Sequence, residues 1–289
     1  MKKYDLTIIG HVTIDTLEYH DQVNRFTGGA AYFSSFAAKR CGARILVITK
    51  MAQADFPLLD PMKKEGIEVL SLPGRHTTSI ENIIKGEDVD NRKVRLIAQA
   101  DPFSAGDIPE IESKIYHIAG LFRGEIPDSM IEILSKKGEV GVDLQAMLRC
   151  SEDGKFSFQH WPEKTKYLPM ITYLKADSLE SKAICGTDDR EEAARMLKRW
   201  GAKEVMITHS AEVILYNGSK LFHAPFNPGN LSGRTGRGDT CFVTYMTRRL
   251  THGIEESLRF AAALTSIKME KPGPFSGTVD EVLKRMEKL

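Results

Sequence analysis

Short apolar runs of strand length alternate with longer amphipathic segments from one end of the chain to the other. The run YDLTIIG (4–10) reads as a buried strand, and GGAAYFSSFAAKRCG (28–42) as a helix rich in small residues and closed by glycine. RILVIT (44–49) is the next strand, a helical stretch covers 58–65, and IEVLSL (67–72) follows as a strand. The rhythm continues with strands at 114–120, 139–144 and 170–176, and helices at 128–136, 178–185 and 190–200. EVMITH, AEVILYN and KLFHAPF are the late strands, and helices at 238–250, 254–268 and 279–288 close the chain. A strand–helix–strand rhythm of this kind predicts an α/β fold. Its sheet is expected to be doubly wound and mostly parallel, with helices on both faces.

Two stretches break the rhythm. Residues 11–27 are polar and turn-rich, and 77–100 contains TTSIENII and RKVRLIAQA on either side of KGEDVDN. Each arm alternates apolar and polar positions, the signature of a hairpin. Together the two stretches are expected to form a small β-sheet lid on a single domain spanning 1–289. No repeat, low-complexity tract or long linker divides the chain.

Composition narrows the field. The 289 residues are 42% apolar and 27% charged, with a formal net charge of +1, as in ordinary globular proteins. Such a balance does not suit a dedicated nucleic-acid binder. The apolar run of MKKYDLTIIG is too short for a membrane span or signal peptide, so a cytoplasmic location is expected. Cys41, Cys150, Cys185 and Cys241 are widely separated, without a CxxC or HExxH pattern, and read as free thiols.

The chemistry concentrates in SGRTGRGDTCFVTYMTRRL (232–250). Glycines at 233, 236 and 238 can expose several backbone N–H groups on one side. A helix starting near Gly238 adds its own free N–H groups and positive dipole end at the same spot. Asp239, in the first helical turn, can then take a proton from an attacking hydroxyl. An aspartate-capped helix after a glycine turn uses the same residue types. Walker A fails because Asp239-Thr240 stands where Lys-Ser/Thr is required, and the dinucleotide pattern GxGxxG is absent. GHVTID after the first strand also lacks the glycines of a dehydrogenase.

The stretch resembles the C-terminal signature D-T-x-G-A-G-D of the ribokinase (PfkB-type) carbohydrate kinases. The resemblance implies an anion hole at Gly236, Arg237, Gly238 and Asp239, with Asp239 as general base. Gly233-Arg234 precede Thr235, and Arg237 replaces the usual alanine. GHVTIDTL and TGGAAYFSS are similar to the family's acceptor-binding elements, which gives that role to Asp15, Gly28 and Gly29. KADSLESKAICG resembles the N-x-x-E segment, which implies that Asp177 and Glu180 position magnesium and phosphate groups through ordered water. VMITHSAEVILYNG corresponds to the nucleotide turn T-x-G-x-x-G: Thr208 fits, and His209-Ser210-Ala211 replaces the glycine-containing part. Asp177, Thr208, His209, Gly236 and Gly238 are thus the expected nucleotide contacts, with an adenine pocket around 262–274.

TTSIEN, ADPF, VDLQAMLR and GRTGRGDTC are most similar to the inositol-kinase-like branch. Asp143, Gln145 and Arg149 are then candidate acceptor contacts, with Glu81 contributed by the lid. The resemblance implies ATP and Mg²⁺ as cofactors, admits a monovalent cation, and favours myo-inositol as acceptor. Nucleoside or other sugar kinases share the scaffold, and a catalytically silent sensor is the alternative of a different class. An exposed lid edge would let two subunits pair, so a homodimer through the lid is a further expectation.

Overall fold

The computed structural model describes residues 1–19, 22–84, 92–152 and 154–288. In chain order they form β1 (Lys2–Ile9), β2 (Thr13–Tyr19), β3 (Gln22–Gly28), α1 (Ala30–Arg40), β4 (Ile45–Ala52), α2 (Asp60–Lys64), β5 (Glu68–Gly74), β6 (Ser79–Ile84), β7 (Arg92–Ala98) and β8 (Ile111–Ile118). They continue with α3 (Ser129–Ser135), β9 (Glu139–Asp143), α4 (Gln145–Leu148), β10 (Arg149–Glu152), β11 (Lys155–Phe158), α5 (Lys164–Tyr167) and β12 (Tyr173–Asp177). The last elements are α6 (Ser178–Cys185), α7 (Arg190–Arg199), β13 (Glu204–Thr208), β14 (Glu212–Tyr216), β15 (Leu221–Pro225), α8 (Arg237–Arg249), α9 (Ile254–Met269) and α10 (Val279–Met286).

Nine strands make the main sheet, in the order β15-β14-β13-β12-β9-β8-β1-β4-β5. All neighbours run parallel except β14 and β15, which turn back antiparallel at one edge. The central strands are buried on both faces, hence their apolar runs without alternation. Residues 30–38 of α1 are all buried, and their small side chains let α1 sit close to α8. A core with α1, α2, α8, α9 and α10 covers one face, and a second core with α3, α5, α6 and α7 covers the other.

The winding reverses between β1 and β8: the chain leaves β1 toward β4 and β5, and leaves β8 toward β9 and β12. At such a switch point the strand ends open a crevice, where doubly wound proteins bind ligands. Around it, a buried carboxylate ties several connections together. Glu125 accepts from the backbone N–H groups of His11 (3.0 Å), Leu121 (2.8 Å) and Phe122 (3.3 Å).

A second sheet of six strands, ordered β10-β11-β7-β6-β2-β3, is built from segments that follow main-sheet strands: β2 and β3 after β1, β6 and β7 after β5, and β10 and β11 after β9. β6 and β7 pair antiparallel, as the hairpin pattern of 77–100 predicts. The expected turn at 85–91 lies outside the described residues, as do His20 and Asp21. The second sheet also takes β10 and β11, which the apolar pattern leaves unassigned: RCSE and KFSF are too short and polar to stand out. Ile80, Leu96 and Phe156 pack the lid against the core, and the Phe156 ring meets Phe122 edge-on at 5.0 Å.

Candidate active site

The acceptor wall begins where β1 gives way to the lid. Asp15 is buried on β2, and its Oδ1 accepts from Thr13 Oγ1 at 2.6 Å. A Cβ at Gly28 would lie 2.4 Å from Asp15 Oδ2, so only glycine lets this carboxylate fold back on β3. Gly29 ends the lid segment and opens α1. Five residues on, Ser34 Oγ donates to the Asp239 carbonyl at 3.4 Å, which joins the acceptor helix to the candidate base.

The lid register corrects one expectation. β2 and β6 run parallel with Asp15 beside Ile80 and Thr16 beside Glu81. Successive residues of a strand point to opposite faces, so Glu81 is turned away from the face that carries Asp15. There it pairs with Arg95 at 3.6 Å, a half-exposed contact on the outer face. Its neighbour Asn82 shares the Asp15 face and is buried. Asn82 is the polar lid residue that the sequence reading passed over.

The candidate donor side of the site is built from charges. Lys175, buried in β12, reaches Asp143 at 3.1 and 3.0 Å and Glu180 at 3.5 Å. Burial alone would discharge this amine, but Asp143, Glu180, Asp177 and Asp239 raise its pKa and hold the charge on. A Cβ at Gly238 would lie 3.3 Å from the Lys175 ammonium and 4.0 Å from Thr208 Oγ1. Lys175 therefore lies directly beneath the first turn of α8, where Asp239 sits. No motif marked it in the sequence; a lone lysine in the apolar run MITYLKA was the available signal.

Asp143 and Gln145 sit at the end of β9 and the start of α4. The Asp143 carboxylate is spent on Lys175 and on the Gln145 backbone N–H at 3.2 Å. Gln145 is buried, and its Nε2 has no hydrogen-bond partner among the described residues, which leaves a donor for an acceptor hydroxyl. Arg149 reaches Glu180 Oε1 at 3.1 Å with its guanidinium over the Phe156 ring. Burial raises the pKa of Asp239, with Glu180 adding to the shift, while Lys175, Arg149 and Lys268 oppose it. A carboxylate with a raised pKa is a better proton acceptor.

The pair expected to position magnesium is engaged otherwise. Asp177 caps α6, its Oδ1 accepting from Leu179 N and Glu180 N at 2.8 Å each. Glu180 Oε2 accepts in turn from Asp177 N at 2.8 Å, and the carboxylate meets both Arg149 and Lys175. Among the described residues no three His, Cys, Asp or Glu side chains cluster as a metal cage. With both carboxylates engaged in protein contacts, they would position a Mg²⁺ through ordered water rather than by direct ligation, as the resemblance implies.

The glycine loop completes the hole. Gly236 caps α8 at φ 78°, and a Cβ there would fall 2.3 Å from the Phe33 ring. The left-handed conformation and the close aromatic both require glycine. Arg237 opens the helix with its guanidinium 6.0 Å from the centre of the Phe226 ring. Across the floor, His209 holds a tight turn: its N–H donates to Glu212 O at 2.9 Å, and Nδ1 accepts from Ala211 N at 3.4 Å. The side chain closes on its own turn where the family pattern places glycine.

A hole of backbone amides and cations beside a carboxylate suits charge spreading over phosphoryl oxygens while a hydroxyl loses its proton. That is the chemistry of a small-molecule kinase. The sequence profile of the pfkB family carbohydrate kinases matches residues 3–280. A pyrophosphate-dependent kinase of the ribokinase family in complex with sulfate is 34% identical with a TM-score of 0.90, covering 96% of this chain and 99% of its own. A second such structure, complexed with a pyrophosphate analog and myo-inositol, is 33% identical with a TM-score of 0.89 over 96% of this chain and 99% of its own. A cytidine kinase of Thermococcus kodakarensis is 29% identical over 95% of this chain and 99% of its own. The chain belongs to the pfkB family of carbohydrate kinases, has the ribokinase-like fold, and is a phosphotransferase acting on an alcohol group.

Proposed function

We propose that this kinase phosphorylates a hydroxyl of myo-inositol and takes the phosphoryl group from pyrophosphate. The observation that carries the reading is the division of the crevice. Asp15 and Asn82 on the lid strands and Gln145 after β9 are buried hydrogen-bonding groups of the kind a polyol needs. Cations from separate elements, Lys175, Arg149 and Lys268, act on the Asp239 carboxylate on the other side. A polyol needs several oriented polar partners, and a site built to hydrogen-bond hydroxyls rejects analogues that lack them. Pyrophosphate presents only phosphate oxygens, which cations and N–H groups suffice to hold. The closed His209 turn supports the same donor, because it lacks the open glycine backbone of the nucleotide pattern.

In this reading Asp239 accepts the proton of the acceptor hydroxyl. The freed oxygen forms a bond to the nearer phosphorus, the bridging P–O bond breaks, and orthophosphate leaves. The Gly236, Gly238 and Asp239 backbone N–H groups stabilise the equatorial oxygens; the Arg237 N–H, expected in the same hole, instead donates to Arg234 O at 3.2 Å. Mg²⁺ bound to the donor would neutralise charge on its oxygens. The solved kinase with myo-inositol and a pyrophosphate analog supports both substrates by similarity.

Cytidine with ATP is the second reading, supported by the Thermococcus relative and by the family resemblance. Phosphorus NMR on a grid of two donors and several acceptors separates the two. An inositol monophosphate from pyrophosphate and myo-inositol is the expected product. Faster turnover of cytidine with ATP, or none of myo-inositol, would overturn the assignment.

A further inference from the structure

Lys268, near the end of α9, is buried, and its ammonium donates to the backbone carbonyls of Gly233 (2.5 Å) and Thr235. The same ammonium lies 5.1 Å from the centre of the Phe33 ring, the ring that closes on Gly236. Carbonyl oxygens and an aromatic face are what a small monovalent cation accepts as ligands. The rest of the loop is stitched to the same helix end: Gly233 N donates to Met269 O at 2.7 Å and Ser232 Oγ to Glu270 O at 2.8 Å.

Peptide geometry ties this contact to the anion hole. In a trans peptide the C=O and N–H point in opposite directions. Drawing the Thr235 carbonyl toward Lys268 therefore turns the Gly236 N–H away from it. A positive charge on the carbonyl also polarises that peptide and strengthens its N–H as a donor. Burial lowers the Lys268 pKa to about 8 against the pull of Asp239, so the ammonium remains the main form at neutral pH.

We propose that Lys268 is a built-in cation that orients and polarises the Gly236 amide of the anion hole, so that phosphoryl transfer by this chain needs no exchangeable monovalent ion. It is a positioning residue that acts through the loop. The monovalent cation admitted by the family resemblance is replaced by a side chain.

The wild-type protein tests this without any variant. Its turnover, with whichever substrate pair proves active, should be the same within about twofold in potassium, sodium or tetramethylammonium salts. Several-fold activation by potassium would overturn the proposal. Sulfate binding by calorimetry then probes the hole independently of acceptor and donor identity. Lys268→Ala should weaken sulfate binding about tenfold and lower kcat about a hundredfold. Potassium or ammonium, which fit the emptied space, should restore part of both; tetramethylammonium should not. Lys268→Met keeps the stem on Phe33 and should show the same losses without rescue. Unchanged sulfate affinity and kcat in a folded Lys268→Met would overturn the proposal; were neither variant to fold, the wild-type salt series decides alone.

Discussion

The two walls of the crevice solve opposite problems. On the acceptor wall the polar groups are few, and they are fixed by close backbone approach, as where Asp15 folds onto Gly28. On the donor floor Lys175, Asp143, Glu180 and Arg149 form a network of ion pairs sunk out of water. Hydrogen bonds between neutral groups discriminate by geometry, whereas buried charges discriminate by total charge and tolerate variation in shape. In the proposed function, acceptor recognition therefore draws chiefly on the lid, with Gln145 from the main sheet, and transfer chemistry on the main sheet.

Removing the base should break the comparison most severely. Asp239→Asn should lower kcat by roughly 10²–10⁴-fold with little change in either KM. Retention of near wild-type turnover in a steady-state assay would remove Asp239 from the mechanism. Lys175→Met should cost about a hundredfold in kcat/KM for the donor. It should also destabilise the fold by about 3–5 kcal/mol, because Asp143 and Glu180 lose their buried cation. The pair Lys175→Met with Asp143→Leu should regain thermal stability without regaining activity, which separates packing from chemistry.

Acidity sharpens the contrast at intermediate size. Since burial raises the Asp239 pKa, kcat/KM should begin to fall, on acidification, at a pH above the ordinary carboxylate range near ~4. At the alkaline end the folded chain holds the Lys268 proton less tightly than an unfolded chain, with values of about 8 against 10.5. Raising the pH through that window should reduce activity while slightly raising relative stability, opposite signs that a paired rate and melting series would reveal. The smallest effects belong to the lid. Asn82→Leu should raise the acceptor KM about tenfold and leave the donor KM alone. Glu81→Gln, on the outer face, should change neither by more than about twofold. A large acceptor effect from Glu81→Gln would mean the lid register is wrong.

These lid residues also mark where sequence stops being readable. The α/β rhythm, the glycine pairs and Asp239 are legible because periodicity and glycine chemistry are local. TTSIENII announces a strand, but alternation alone does not say which face meets the crevice. A one-residue ambiguity was enough to choose Glu81 over Asn82. Lys175 and Lys268 were hidden for a different reason. Each follows an apolar run with no motif around it, and the partners that define its role, Asp143 for Lys175 and the Gly233 and Thr235 carbonyls for Lys268, lie 32 to 35 residues away. Asp177 and Glu180 rest on the resemblance to the N-x-x-E segment, whose spacing is also that of a capping box.

Arg149 belongs to both walls at once. Its backbone is the first residue of β10 in the lid sheet, and its guanidinium is the partner of Glu180 in the floor. Any displacement of β10 would therefore carry a full positive charge toward or away from the buried carboxylates. One residue thus couples the electrostatics of the buried carboxylates to the position of the second sheet, so a shift of β10 would be felt at Glu180 as a change in local potential.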